Sequence, residues 1–287
     1  MPSVSFEYFP QRSSANSDVL DQTVQILAEF QPDFQSVTYG AGGTSQAGTL
    51  ETLSELHKTT LLPVASHLTY SGSDLETISE FVEEIWESGV RRIVALRGDA
   101  RENSEETQAF DDTAEFVAFL KSRHPFEIAV SCYPEVHPKA ESLEEDLRIL
   151  KAKQDAGASV AISQFFFDNS VFYQFVQKAR DAGITIPIVP GILPIYNFDR
   201  VKDMAGKCGT AIPDYVCEAF ENSNKSGASQ LEVASELLKA QVHDLACAGY
   251  ETIHIYTLNR APLAKIAAST FMNAHASIDQ KSNRQVA

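Results

Sequence analysis

Arg91-Arg92-Ile93-Val94-Ala95-Leu96-Arg97-Gly98-Asp99 is the stretch on which the reading of this chain turns. A continuous apolar, β-branched run, rather than an alternating one, describes a strand covered on both faces. It stops at an arginine, a glycine and a carboxylate, and Gly98 lets the backbone turn or approach a ligand where Arg97 and Asp99 emerge. Taken alone, the same residues also describe a β–α turn with a surface ion pair. Recurrence of the pattern along the chain separates the two readings.

Toward the N-terminus, Leu61 to His67, Phe34 to Thr38 and Ser3 to Phe9 read as three earlier strands, the first stopped by Pro10. Glu7 is the single ionisable residue of that first strand, so a central strand would bury it. Helical periods separate the strands, from Asp18 to Phe30, from the Tyr39-Gly40-Ala41-Gly42-Gly43-Thr44-Ser45 loop to about His57, and from a capping Asp74 to about Ser88. The glycine-rich loop is not a dinucleotide fingerprint, because the third glycine would fall at Ser45.

Toward the C-terminus, a long acidic loop, Ala100 to Asp112, precedes a helix from Thr113 to Arg123 and a strand from Phe126 to Ser131. Two prolines in Cys132-Tyr133-Pro134-Glu135-Val136-His137-Pro138 fix His137 before a helix from Ser142 to Ala156. A strand from Ser159 to Ser163 runs into Gln164-Phe165-Phe166-Phe167-Asp168, and three consecutive phenylalanines at a strand end are not expected to face one core. A helix from Ser170 to Ala182 follows, then strands Ile186 to Val189, ending at Pro190, and Thr252 to Ile255. Two or three helices fill Phe198 to Ala248, and from Asn273 the polar tail is expected to fray.

Eight βα units without an internal linker predict a (β/α)8 TIM barrel as a single domain over residues 1–287, with a doubly wound sheet as the alternative. On a barrel, Glu7, Thr38, His67, Asp99, Tyr133, Gln164, Gly191 and Tyr256 stand around one mouth, the face where barrel enzymes carry their chemistry.

Composition narrows the partners. Over 287 residues the formal net charge is -16, which repels polyanions and argues against nucleic acid and anionic membrane surfaces. An anionic ligand must therefore meet local positive charge. Cys132, Cys208, Cys217 and Cys247 form no CxxC pair and have no histidine at metal-ligand spacing, so neither zinc nor a disulfide frame is signalled. With no signal-like N-terminus and no apolar run long enough to span a bilayer, the expectation is a soluble cytoplasmic protein.

Seven short motifs in order carry a family resemblance: Phe6-Glu7-Tyr8-Phe9-Pro10, Val37-Thr38-Tyr39-Gly40-Ala41-Gly42-Gly43, Leu96-Arg97-Gly98-Asp99, Tyr133-Pro134-Glu135-Val136-His137-Pro138, Gln164-Phe165-Phe166-Phe167-Asp168, Pro190-Gly191-Ile192-Leu193-Pro194 and Tyr256-Thr257-Leu258-Asn259-Arg260. Together the chain resembles the bacterial-type methylenetetrahydrofolate reductases. The resemblance implies an FAD-containing barrel in which NADH or NADPH reduces the flavin, which then reduces 5,10-methylenetetrahydrofolate to 5-methyltetrahydrofolate, feeding methyl groups to methionine synthesis.

It also implies site residues. Glu7 matches the acid that protonates the departing folate nitrogen, and its aromatic neighbours lead to the expectation of a desolvated, protonated carboxyl. Asp99 matches a second catalytic residue between pterin and flavin. Thr38, Tyr39, Ala41, His67, Arg97, Gly98, Asp99, Tyr133, His137, Ala140, Asp146 and Lys153 match flavin contacts, Arg97 and Lys153 supplying charge for a diphosphate. For Asp146 and Lys153 the plain alternative is an exposed helix position. Gln164, Arg260, Asp99 and Phe165 match folate contacts.

Departures from the family pattern are Gln11 after Pro10, Ala100-Arg101-Glu102 after Asp99, Ile149 where an asparagine is frequent, and Arg200 where a glutamine is frequent. No C-terminal regulatory domain is expected, and a homo-oligomer is left open. Two rival functions compete: a folate barrel that transfers methyl groups without redox chemistry, and a catalytically silent flavin- or folate-binding subunit.

Overall fold

The computed structural model describes residues 1–10, 14–38, 46–98, 108–227 and 229–286. Strand and helix alternate from β1 (Ser3–Tyr8), α1 (Ser14–Ala28), β2 (Phe34–Val37), α2 (Gln46–Thr60), β3 (Val64–Thr69) and α3 (Leu75–Glu87) to β4 (Arg92–Leu96), α4 (Thr113–Arg123), β5 (Glu127–Cys132), α5 (Leu143–Asp155), β6 (Val160–Ser163) and α6 (Asn169–Asp181). Then come β7 (Ile188–Val189), β8 (Gly191–Ile192), α7 (Phe198–Cys208), α8 (Asp214–Ser226), α9 (Gln230–Cys247), β9 (Thr252–Tyr256) and α10 (Ala261–Val286).

All strand pairs are parallel, in the order β7-β6-β5-β4-β3-β2-β1-β9-β8. β7 and β8 are two halves of one strand, interrupted at Pro190. Ile188 and Val189 pair with Ala161 and Ile162 of β6, while Gly191 and Ile192 pair with His254 and Ile255 of β9. Pro190 has no N–H to give, but its carbonyl accepts from His254 N at 2.9 Å, so the ring closes. This is the expected (β/α)8 barrel and not the doubly wound sheet. Closure needs glycine: a Cβ on Gly191 would collide with the Ser163 carbonyl oxygen and lie 2.7 Å from Tyr256 Cε2. The strand expected to end at Pro190 therefore continues through it.

Side-chain alternation divides the strands between two layers. Val4, Phe6 and Tyr8 of β1 enter the large core under the helices, whereas Phe34, Ala65, Val94, Ala129 and Ile162 form a separate apolar cluster. Ser5, level with Phe34 and one step below Glu7, belongs to the inner face. Helices leave the strands with side-chain caps: Asp74 accepts from Thr77 N, Asp112 from Glu115 N, Ser142 from Glu145 N, Asp168 from Ser170 N and Asn197 from Arg200 N. Each cap contributes about 1 kcal/mol and fixes where its βα loop ends.

Two expectations need correction. β3 begins at Val64 and runs through Thr69, because Leu61, with φ 56° and its N–H on His57 O, belongs to the turn leaving α2. α1 starts at Ser14 rather than Asp18. α10 runs on past Asn273 to Val286, with Ala274 buried and His275 Nε2 donating to Tyr250 O at 2.9 Å.

Candidate active site

Glu7 is one residue from the end of β1 and faces two imidazoles. Its Oε2 lies 3.4 Å from His67 Nε2 on β3 and 3.8 Å from His254 Nε2 on β9. His254 in turn places Nδ1 2.7 Å from Ser5 Oγ. Burial pushes the Glu7 carboxyl up, but the facing His254 and His67 rings outweigh it, and the net direction is down, toward the carboxylate. That corrects the expectation of a protonated acid: the aromatic neighbours Phe6 and Tyr8 point to the outer core, and the groups that share the inner face with Glu7 are histidines. His67 is pushed down by its own burial, more than Glu7 raises it.

The main chain around Glu7 is clamped from β9. Thr257 donates to Glu7 O through N–H at 3.2 Å and through Oγ1 at 2.6 Å. One step on, Asn259 holds Phe9 from both sides, Oδ1 accepting from Phe9 N at 2.8 Å and Nδ2 donating to Phe9 O at 3.0 Å. Leu258 and Asn259 both adopt positive φ, 52° and 54°, an arrangement of about 1 kcal/mol or more per residue that the clamp offsets.

A second cluster lies beyond β5. His137 N donates to Asp146 Oδ2 at 2.6 Å, and the Tyr133 ring meets the His137 ring edge-on with centroids 4.4 Å apart. Ala140 N donates to His137 O at 2.8 Å, completing the turn that the prolines begin. Lys153 is 7% exposed, so it is not the surface helix lysine that the plain alternative holds. Its Nζ donates to Ser131 O at 3.0 Å, and burial pushes its pKa down. Asp146 moves the other way: burial raises it more than His137 and Lys153 lower it. His137 is pushed down first by burial, then by the positive charges of Lys153, Lys139 and Arg97, with Asp146 opposing them.

Arg97 is exposed at the end of β4, its carbonyl accepting from Ser71 N at 2.9 Å. Gly98 has φ 86°, and a Cβ there would press Thr69 Cβ at 2.8 Å, so its strand end turns where only glycine fits. Gln164, past β6, donates N–H to Cys132 O at 2.7 Å and accepts from Phe165 N through Oε1 at 3.0 Å. Arg260 stands over the Tyr196 ring at 5.2 Å. Asp99, Tyr39 and Ala41 lie outside the described residues, as do residues 100–107 of the loop that Ala100 begins.

Phe165, Phe166 and Phe167 are all buried, at 3%, 1% and 7%, contrary to the expectation that one core could not take all three. The extra helices explain it. Phe166 stacks on Phe172 at 4.7 Å, and the three carbonyls accept from Thr210, Gln241 and Tyr215 at the ends and faces of α7, α8 and α9. In this structure Phe165 accordingly offers no free face to a flat ring. What the sequence reading missed are Ser5 and His254. Their signal was period two: Ser3-Ser5-Glu7 and Thr252-His254-Tyr256 are polar alternations that pair in register. Among the described residues, no group of three His, Cys, Asp or Glu side chains could hold a metal, and no helix is long and apolar enough to cross a membrane.

With this geometry in hand, comparison with known proteins gives consistent results. The family model described as Methylenetetrahydrofolate reductase matches residues 1–270. The chain is 37% identical over 261 residues to the 5,10-methylenetetrahydrofolate reductase of Pectobacterium carotovorum subsp. carotovorum, covering 91% of this chain and 87% of that one. Against the protein of the same description from Escherichia coli (strain K12) it is 36% identical, covering 91% and 88%. It is 33% identical to the probable methylenetetrahydrofolate reductase (NADH) of Oryza sativa subsp. japonica, covering 94% of this chain and 47% of that one. A solved structure from Clostridium thermocellum that binds two copies of 5-methyl-5,6,7,8-tetrahydrofolic acid has a TM-score of 0.58 at 11% identity, covering 96% and 95%, which is a likeness of fold alone. The chain belongs to the methylenetetrahydrofolate reductase family, oxidoreductases that reduce methylenetetrahydrofolate to methyltetrahydrofolate.

Proposed function

We propose that this chain carries out that reduction in the barrel mouth, using FAD and a nicotinamide nucleotide, NADH or NADPH, as electron donor, with Glu7 as the acid. The observation that carries the assignment is the Glu7 carboxyl, mostly buried at the mouth with His67 and His254 facing one of its oxygens. FAD fits the residues present. Thr38 Oγ1, just past β2, and His67 Nε2, on the neighbouring β3, are buried without a hydrogen-bond partner among the described residues, the condition of polar atoms reserved for a bound group. Lys153 and Arg97 bring positive charge to the rim beside His137, which suits a diphosphate. Bound there, FAD would accept a hydride from the nicotinamide and supply it to the folate carbon.

The protein's own part is proton handling and orientation. Opening the folate imidazolidine ring to an electrophilic iminium requires a proton on the departing nitrogen, and Glu7 would give it. The resting carboxylate becomes an acid when substrate closes the mouth, because further loss of water raises a carboxyl pKa. Gln164, whose Oε1 accepts from Phe165 N, carries an amide that suits the mixed donor and acceptor edge of a pterin. Arg260, exposed above Tyr196, suits the glutamate carboxylates of a folate tail. Asp99, by its match to the family, would stand between the two rings.

The purified protein is expected to be yellow with non-covalent FAD, and NADH or NADPH should bleach it anaerobically without folate. Methylenetetrahydrofolate should then restore the colour. A colourless protein that also fails to take up added FAD would overturn this reading in favour of a methyl-transfer barrel.

A further inference from the structure

Arg260 occupies a position that usually caps a helix. It directly precedes α10, which begins at Ala261, and it has no side-chain oxygen to take up the free N–H groups of the first turn. α3 to α7 each follow an aspartate, serine or asparagine that does so. At α10 the oxygen comes instead from Tyr196, 64 positions earlier, in the loop after β8. Its hydroxyl accepts from Leu263 N at 3.0 Å and from Ala264 N at 3.4 Å, and donates to Arg260 O at 2.6 Å. Burial raises the Tyr196 pKa more than those N–H groups and the Arg260 charge lower it, so the hydroxyl keeps its proton.

The same tyrosine reaches the arginine side chain. Arg260 Cζ lies over the Tyr196 ring, 5.2 Å from its centroid, within the range of a cation–π contact, while the residue stays exposed. The main chain is fixed from the other side as well: Arg260 N donates to Thr257 O at 3.0 Å, and Asn259 grips Phe9, just past β1. Arg92, Arg123 and Arg148 form ion pairs with carboxylates. Among the described residues Arg260 forms none, on a chain whose net charge is -16. A capping position given to an arginine, with a distant tyrosine supplying the cap, leaves a guanidinium that is held at the mouth and has no carboxylate of its own.

Taking Arg260 as the contact for the folate tail, we infer that Tyr196 is the positioning residue that holds it: the hydroxyl pins the Arg260 peptide and the ring restrains the guanidinium, ready for a carboxylate of the tail. An arginine already ordered loses less rotamer freedom when its ligand arrives. The tail is remote from the reacting carbon and is bound alike before and during hydride transfer, so this contact lowers KM without raising kcat. The pterin ring carries no carboxylate, which lets the tail's share be read separately.

Tyr196→Leu and Tyr196→Phe, each alone and combined with Arg260→Gln, test this with two substrates, methylenetetrahydrofolate and the corresponding methylenetetrahydropteroamide, which ends in a neutral amide and lacks the glutamate. Tyr196→Leu should raise KM for methylenetetrahydrofolate about 5- to 20-fold, the scale of a cation–π contact and a hydrogen bond lost together, with kcat and flavin reduction by NADH changed less than about 2-fold. With the pteroamide its kcat/KM should change less than about 2-fold, and in the Arg260→Gln background it should add less than about 2-fold with either substrate, because residues acting through one another are not additive. Tyr196→Phe, the milder change should Tyr196→Leu not fold, keeps the ring and is expected to raise the folate KM about 2- to 5-fold. Equal losses with both substrates, a lowered kcat at unchanged KM, or an undiminished effect of Tyr196→Leu in the Arg260→Gln background would mean that Tyr196 only caps α10, and would overturn the inference. Calorimetry gives a readout apart from turnover: the affinity of the oxidised holoprotein for 5-methyltetrahydrofolate should fall by the same factor in Tyr196→Leu, and an unmoved affinity sinks the inference. An Arg260→Gln protein that keeps the wild-type preference for the folate over the pteroamide would instead remove the tail contact itself, and a wild-type flavin that the folate does not oxidise at all would remove the proposed function.

Discussion

Glu7 on β1 and Asp146 on α5 are both carboxylates withdrawn from water beside histidines, yet their surroundings move them in opposite directions. At Glu7 burial raises the pKa, and two imidazoles on one oxygen bring it below the usual value. At Asp146 burial prevails over the hydrogen bond from His137 N and the nearby charges of His137 and Lys153. Depth alone therefore does not set protonation; the groups aimed at the carboxylate do. In the first cluster the charges facing the carboxylate come from the protein's own histidines. In the second, Lys153 is itself disfavoured by burial and gives one donor to Ser131 O, an arrangement that an anionic ligand would complete.

Breaking the first cluster should have the largest effect. Glu7→Gln keeps shape and a hydrogen-bonding end but has no acidic proton. Flavin reduction by the nicotinamide should be nearly intact, while the folate half-reaction falls roughly 10²- to 10⁴-fold, as for loss of a positioned general acid. A folate half-reaction within a few-fold of wild type, measured by stopped flow, would show that Glu7 only packs.

Breaking the second cluster should separate stability from binding. Lys153→Met removes a buried ammonium and keeps an apolar chain of similar length, so the flavin-free protein is expected to melt higher, by about 1 kcal/mol or more of added stability. FAD affinity should fall about 10-fold or more, since a charge-assisted contact of about 1.5–3 kcal/mol is lost. Thermal melts with and without FAD decide it, and a lower apo melting temperature would mean that the ammonium is fully compensated without ligand.

Acid titration sharpens the contrast through its sign. Glu7 has a lowered folded pKa, so its contribution is present above its usual 4.5 and lost as pH falls further. His67, also lowered, loses stability as pH falls below its usual 6.5, because the unfolded chain takes up the proton more readily. Asp146, raised, destabilises the folded state above its usual 3.8 and offsets part of that acid loss. Melts of the flavin-free protein from about pH 7.5 to about 3.5 should thus show a flatter acid decline in Glu7→Gln and a steeper one in Asp146→Asn. Parallel declines in both variants would remove the distinction between the clusters.

The smallest effect concerns Cys132, which shares the β5 wall with Lys153. Burial pushes its thiol up to about 12, against which the Lys153 charge is the lesser influence. Exposed Cys247 should react first with a thiol reagent at pH 8 and Cys132 last. Rapid labelling of Cys132 in the native protein, followed by mass spectrometry, would show that this wall opens.

Much of this was legible in the chain itself. Apolar runs closed by polar residues, with Asp74 and Ser142 as caps, marked alternating strands and helices, because burial on two faces and capping are local demands that each segment meets with its own residues. The alternation and the seven motifs set the barrel and the family. Closure through a strand broken at Pro190 was decided by tertiary structure, since the Gly191 contact with Ser163 and Tyr256 joins positions 28 and 65 residues apart, from numbers 163, 191 and 256. So was the burial of Phe165, Phe166 and Phe167 beneath helices that follow them in the chain. Local sequence gave Glu7 aromatic neighbours and a protonated carboxyl; the pleat sent those aromatics to the other face, and barrel closure brought His254, 247 positions on by the numbering, against it. Protonation is set by the charges within a few ångströms in space, and only the closed sheet determines which charges those are.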